Sequence, residues 1–225
     1  MEQFAGVLYA SKYNKIVYHE SHDEAGNAGG SMRTLTCAVN NAPLTGATRV
    51  FAEARSRVAF GLSLFSAGTP MFFMAEEIGA QKRYTYDTFL ANREDIFGER
   101  AGNGAKLFRF YQDAIRFSRR HPAVRVQNID ILHVNNDARV IAFRRSAGSD
   151  DLLILASLNN HVFGEYLIQT DTWRLPDGIW REVFNSNAAI YGGNNLGNSS
   201  ADLQATNSRI QVCLPANSMV IFGKI

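Results

Sequence analysis

The chain has 225 residues, enough for one large domain or two small ones with a core of their own. Hydrophobic residues are 46% and charged residues 20%, which excludes a disordered or fibrous chain. Lys and Arg number 23 against 21 Asp and Glu, and this near-even balance (net charge +2) argues against a nucleic-acid binder and against an anionic membrane surface as the main partner.

In chain order, residues 15–19 read as a short strand running into a polar, glycine-rich loop over 20–31. Over 49–66 the apolar positions Val50, Ala54, Val58, Gly61, Leu62 and Phe65 recur at helical spacing, and Gly68 is expected to close that helix. Residues 71–74, Met-Phe-Phe-Met, follow as an apolar run suited to a strand buried on both faces, giving a strand–helix–strand signature of parallel pairing. A long surface loop over 75–104 leads to a second amphipathic helix over 105–119, which Pro122 ends. Beyond it, seven short β-rich runs (129–134, 139–143, 152–158, 164–168, 180–184, Arg209–Leu214 and 219–222) alternate with turn signals, as in an antiparallel sandwich or barrel. The boundary lies near residue 122, and 123–225 is expected to close a core of its own. Residues 1–121 hold too few strands to cover both faces of a sheet and read as the tail end of a larger α/β domain.

Cys37 and Cys213 form no C-x-x-C pair, and the N-terminus has no basic segment followed by an apolar one, so a reducing cytoplasm and no signal peptide are expected. The uncharged run 58–75 reaches membrane-span length, but Gly68-Thr69-Pro70 splits it into helix and strand.

The densest polar cluster is His19-Glu20-Ser21-His22-Asp23-Glu24, directly after a strand, where catalytic residues of α/β folds collect. The residue types would suit a metal, but the spacing is not that of a helical H-E-x-x-H site, and a solvated loop has the same composition. Gly98, Gly102 and Gly104 lack the Gly-Lys-Ser/Thr ending of a phosphate loop. Trp173, Trp180 and Tyr191 could stack on sugar rings, although core packing is the commoner use. Glu76 and Glu77 read as structural, with Arg83 as the expected partner.

Residues 16–24, Ile-Val-Tyr-His-Glu-Ser-His-Asp-Glu, resemble the fourth signature region of the α-amylase family of glycoside hydrolases, a hydrophobic strand ending in a His-Asp pair. Residues 68–77 resemble that family's eighth barrel strand, with Ala75 where glycine is usual, and 108–124 resemble its final barrel helix. Residues 185–198, Asn-Ser-Asn-Ala-Ala-Ile-Tyr-Gly-Gly-Asn-Asn-Leu-Gly-Asn, are similar to the C-terminal all-β domain of 1,4-α-glucan branching enzymes. The tryptophan expected after Glu77 in those enzymes is absent, and residues 80–86 run Ala-Gln-Lys-Arg-Tyr-Thr-Tyr instead.

The resemblance implies an α/β part followed by an all-β part. The first would be the last strands and helices of a (β/α)8 TIM barrel over 1–121, the second a C-terminal antiparallel β-sandwich over 122–225. It implies an α-glucan-processing enzyme, foremost a branching enzyme of glycogen synthesis; an amylase, a trehalose-releasing hydrolase or a non-catalytic carbohydrate-binding module is the alternative. Asp23 would be the carboxylate that stabilises the transition state, His22 its hydroxyl-binding neighbour, and Glu24 and Asn27 would contact substrate. No cofactor and no metal are implied. The partner would be glycogen, starch or a maltooligosaccharide, with self-association through unpaired strand edges also expected. The family's nucleophile and acid/base lie on earlier strands, so the isolated chain is expected to be inactive.

Overall fold

The computed structural model describes residues 1–9, 15–171 and 174–225. The first half is mainly helical: α1 (Glu2–Tyr9), β1 (Ile16–Val17), α2 (Thr34–Cys37), α3 (Gly46–Phe65), β2 (Thr69–Pro70), α4 (Ile96–Ala101), α5 (Ala105–Arg120) and α6 (Pro122–Arg125). The second half is all β: β3 (Asp130–Asn135), β4 (Val140–Ala147), β5 (Asp150–Ser157), β6 (Phe163–Gln169), β7 (Gly178–Asn185), β8 (Asp202–Ala205), β9 (Arg209–Leu214) and β10 (Ser218–Lys224).

The strands β3-β4-β5-β10-β7-β8 form a six-stranded sheet, antiparallel throughout, and β6 pairs antiparallel with β9. Period-two alternation in the central strands serves two cores at once. Val140, Ala142, Leu153, Leu155, Val220 and Phe222 face the β6–β9 layer and meet Ile168, Trp180, Ile210 and Val212. Their neighbours Ile141, Phe143, Ile154, Met219 and Ile221 join Phe60, Phe65, Phe110 and Tyr111 from α3 and α5. Hence these strands read as almost unbroken apolar runs. The second half does close a core between its sheets, as expected, but the sheet's other face is covered by the helices.

Arg145 on β4 bolts the halves together. Fully buried, it donates to the carbonyls of Asn128 (2.9 Å), Val124 (2.8 Å), Val126 (2.5 Å) and Phe65, and burial lowers its pKa to about 10. Asp150 on β5 caps α6, accepting from the Ala123 amide at 2.9 Å beside His121 at 2.8 Å.

The helical half departs from expectation in four places, the first being 75–104, where Ala75, Glu76, Ile78 and Ala80 are buried and α4 interrupts the expected surface loop. The apolar stripe of α3 starts at Ala52, since Val50 is exposed. The helix stops at Phe65, ahead of Gly68, whose φ of 139° instead lets the backbone pass close to Val17 and Lys15. Residues 71–74 are not a buried strand: β2 is Thr69–Pro70, paired parallel with β1 (Ile16 opposite Thr69), and Phe72 and Met74 are exposed. An apolar run becomes a two-sided strand only where flanking strands exist, and the described residues hold one parallel pair rather than a closed barrel. Among the described residues no helix is long and apolar enough to cross a membrane, and both cysteines are free.

Candidate functional site

The chain leaves β1 through Tyr18 into a buried polar foundation. His19 Nε2 lies 2.8 Å from Glu76 Oε2, and its Nδ1 is 3.2 Å from Ser63 Oγ on α3. Glu76 also accepts from the Phe73 amide (2.6 Å) and the Tyr111 hydroxyl (3.3 Å). Glu76 therefore pairs with His19, not with Arg83. Beside it, Glu20 pairs with Arg33 at 2.8 Å and accepts from the Thr34 amide at 2.6 Å. Burial raises the Glu20 pKa, against the opposing pull of Arg33. These pairs are buried and anchored, and they fix the strand end on which the next residues stand.

Above this foundation the backbone makes a tight turn over Asp23–Asn27. Ser21 Oγ accepts from the Asp23 amide at 3.2 Å and donates to Glu24 Oε2. His22 Nε2 sits 3.6 Å from Asp23 Oδ2, with side-chain exposures of 58% and 57%, so both present polar atoms to solvent. Asn27 is spent at both ends of its amide, donating to the His22 carbonyl (2.6 Å) and accepting from the Tyr86 amide (2.9 Å). In this structure it holds the turn.

The turn is clasped by residues 83–86. Tyr84 N donates to the Ala25 carbonyl (2.9 Å), Arg83 Nη2 to the Gly26 carbonyl (3.0 Å), and the Tyr86 hydroxyl to Asp23 Oδ1 (2.8 Å). Gly26 makes this possible: its φ is 153°, and a Cβ there would lie 2.6 Å from the Tyr84 carbonyl oxygen. The hydrogen bond to Asp23 raises the pKa of Tyr86. Rings extend outward from the clasp, with Phe73 and Tyr84 5.2 Å apart, Tyr84 and Tyr86 6.1 Å, and Tyr86 and His22 5.9 Å between centroids.

The arrangement offers a carboxylate, an imidazole and an exposed phenol side by side, which suits a ligand with vicinal hydroxyls and an apolar ring face. It does not suit a metal: His19 is committed to Glu76, and among the described residues no group of three His, Cys, Asp or Glu could hold an ion. The sequence cluster thus divides into a buried foundation (His19, Glu20) and an exposed site (His22, Asp23, Glu24), with Asn27 as bracket. Tyr86 escapes sequence reasoning because its contact spans 63 positions; the Tyr-Thr-Tyr standing where a tryptophan was expected was its one signal.

Other sequence candidates go elsewhere. Trp180 is fully buried, its Nε1 donating to the Pro176 carbonyl at 3.1 Å. Tyr191 is buried and donates to Asp113 at 3.2 Å. Trp173 lies outside the described residues. A cavity of about 480 Å³, lined by residues that include Leu8, Val17, Val58, Leu62 and Arg139, does not include Asp23.

Residues 131–224 match the family described as "Alpha amylase, C-terminal all-beta domain". The chain is 30% identical over 159 residues to the 1,4-alpha-glucan branching enzyme GlgB of Rhodopseudomonas palustris, covering 66% of this chain and 20% of that enzyme. It therefore spans about a fifth of the length of the curated relatives it matches. Among solved structures it resembles the pullulanase of Bacillus acidopullulyticus (TM-score 0.62, 19% identity, 93% of this chain and 24% of that one). It also resembles AmyP in complex with maltose (TM-score 0.59, 16% identity, 84% and 38%). Coverage of 93% exceeds what the β half alone could supply, so the shared fold extends into the helices. Residues 131–224 thus match the α-amylase C-terminal all-β domain family, and the chain resembles the C-terminal part of an α-amylase-family glycoside hydrolase, with 1,4-α-glucan branching enzymes among its sequence relatives.

Proposed function

We propose that this chain is the C-terminal portion of an α-glucan-processing enzyme of branching type, acting on glycogen, starch or maltooligosaccharide in the cytoplasm. On this reading β1 and β2, parallel and joined through α3, are neighbouring strands of a (β/α)8 barrel, and residues 122–225 are its all-β partner domain. One observation carries the reading: His22 and Asp23 stand side by side and exposed on a turn that directly follows a parallel strand.

Asp23 is then the carboxylate that binds ring hydroxyls and stabilises the oxocarbenium-like transition state, His22 donates to a neighbouring hydroxyl, and Glu24 lines the same edge. Asn27 acts by holding the turn. Retention at a glucosidic bond also needs two carboxyl groups about 5–5.5 Å apart and facing the sugar. Glu20 and Glu76, the carboxylates beneath the turn, are buried in ion pairs and do not serve. By resemblance the family's nucleophile and acid/base lie on earlier strands, so the chain alone is expected to bind glucan without turning it over.

The experiment is an iodine and reducing-end assay of the purified chain on amylose, beside a full-length enzyme carrying this segment with and without Asp23→Asn. No turnover is expected from the chain alone. In the full-length enzyme the substitution should cost about two to three decades in kcat, far more than the few-fold loss expected in ground-state glucan binding. An unchanged kcat with a raised KM removes Asp23 from the chemistry. The exposed Ile16, Tyr18, Phe72 and Met74 beside the parallel pair further support self-association of the isolated chain, which sedimentation over a concentration series tests.

A further inference from the structure

Tyr86 has three properties that together call for an explanation. Its ring is about half exposed, at 52%. Its hydroxyl is hydrogen-bonded to Asp23 Oδ1 at 2.8 Å, on the carboxylate that would have to receive sugar. That bond is not needed to hold the two segments together, because three other hydrogen bonds (Tyr84 N to Ala25 O, Arg83 to Gly26 O and Tyr86 N to Asn27 Oδ1) already fix residues 83–86 against the turn.

We infer that Tyr86 is a glucan-binding residue with two opposed parts: its hydroxyl holds the place of a sugar hydroxyl at Asp23, and its ring provides the face on which the adjoining sugar stacks. The inference rests on the reading of Asp23 as a sugar ligand and deepens it. Asp23 Oδ2 is flanked by His22, so the oxygen that must be vacated for a vicinal diol to bridge the carboxylate is Oδ1, the one Tyr86 occupies. The phenol mimics the donor it yields to, an O–H on a six-membered ring, and exchange conserves one hydrogen bond at Oδ1. When the hydroxyl swings off, the ring stays beside His22 and Tyr84, anchored through its own backbone amide to Asn27. A polar edge next to an exposed apolar ring face is the surface an α-glucan requires, since each glucose carries hydroxyls around its rim and C–H groups on its faces.

Opposed parts predict opposite mutant effects. Tyr86→Phe removes the competitor and keeps the face, so maltoheptaose binding should tighten about threefold, the scale of one solvent-exposed hydrogen bond. Tyr86→Ala removes both, and the lost stacking should dominate, weakening binding about tenfold. The gain from Tyr86→Phe should vanish in an Asp23→Asn background, where the phenol has no charged acceptor to contest.

The experiment is isothermal titration of the intact chain with maltoheptaose, with cellohexaose as the β-linked control, for wild type, the two Tyr86 variants, Asp23→Asn and the Asp23→Asn/Tyr86→Phe double variant; circular dichroism verifies that each is folded. Tighter binding by Tyr86→Phe, weaker binding by Tyr86→Ala and loss of the gain in the double variant support the inference. Wild-type binding that falls with Asp23→Asn but ignores both Tyr86 changes overturns the role of Tyr86 and leaves Asp23 as a sugar ligand. Absence of maltoheptaose binding by the folded wild type overturns both.

Discussion

Two loops of this protein look alike in composition and behave oppositely. Residues 19–27 and 185–198 are both polar, rich in small residues, and follow strands. In the second, the side-chain amides are turned inward on the loop itself. Asn187 Oδ1 accepts from the amides of Asn194 (3.2 Å) and Leu196 (3.1 Å), and Asn195 Oδ1 from Ala189 (2.6 Å). Asn198 ties Glu182 to both backbone groups of Cys213. Its aromatic residue, Tyr191, is buried against α5, and its Tyr191 carbonyl accepts from the buried Arg57 of α3 at 2.8 Å. That loop is a latch between the halves. The first loop settles its backbone groups in the same manner but leaves a carboxylate, an imidazole and a phenol in solvent. A binding loop is distinguished by which polar atoms remain for a ligand after the fold has been satisfied, and not by how many it has.

Gly26→Ala should have the largest effect. It places a Cβ 2.6 Å from the Tyr84 carbonyl oxygen on a residue whose φ is 153°, and strain of this kind costs on the order of 1–3 kcal/mol. Urea unfolding should register it, and maltoheptaose binding should fall with it, because the clasp that positions Tyr86 is pushed open.

Asn187→Ala leaves two amide donors of the latch without their acceptor and should cost about 1–2 kcal/mol of stability, since water reaches part of the loop. Saccharide affinity should be unchanged. A drop in affinity larger than the drop in stability would mean that the latch takes part in binding.

Asp23→Asn should do the reverse. Its side chain is 57% exposed, so unfolding should shift by no more than about 0.5 kcal/mol, while maltoheptaose affinity falls about fivefold, the scale of one weakened charged hydrogen bond.

The smallest effect separates the two tyrosines. Tyr86 has a raised pKa mainly because its hydroxyl donates to Asp23, whereas Tyr191 is raised first by burial and then by Asp113. In both the neutral phenol is favoured, so ionisation is delayed to higher pH. Asp23→Asn should return Tyr86 toward the ordinary phenol range and leave Tyr191 where it is, as followed by ultraviolet difference titration.

Much of the scaffold was legible in the sequence because its signals are local. The 3.6-residue period marked α3 and α5, and alternation with turn punctuation marked seven of the strands beyond residue 122. β8 escaped because Asp202–Ala205 offers only Leu203 and Ala205 as inward residues. Residues 71–74 do not form the expected buried strand, because a hydrophobic run carries no information on whether flanking strands are there to bury it. For the site, the His-Asp pair was visible as a cluster after a strand, while its division was not. Whether His19 faces Glu76 and His22 faces solvent depends on contacts across 57 positions or on a single turn of backbone, and neither leaves a periodic trace.

Hydrogen–deuterium exchange of the intact chain with and without saturating maltoheptaose tests the distinction between the two loops most directly. The account predicts added protection at 22–27 and 83–86 and none at 185–198. Protection confined to 185–198, with 22–27 unchanged, would contradict it.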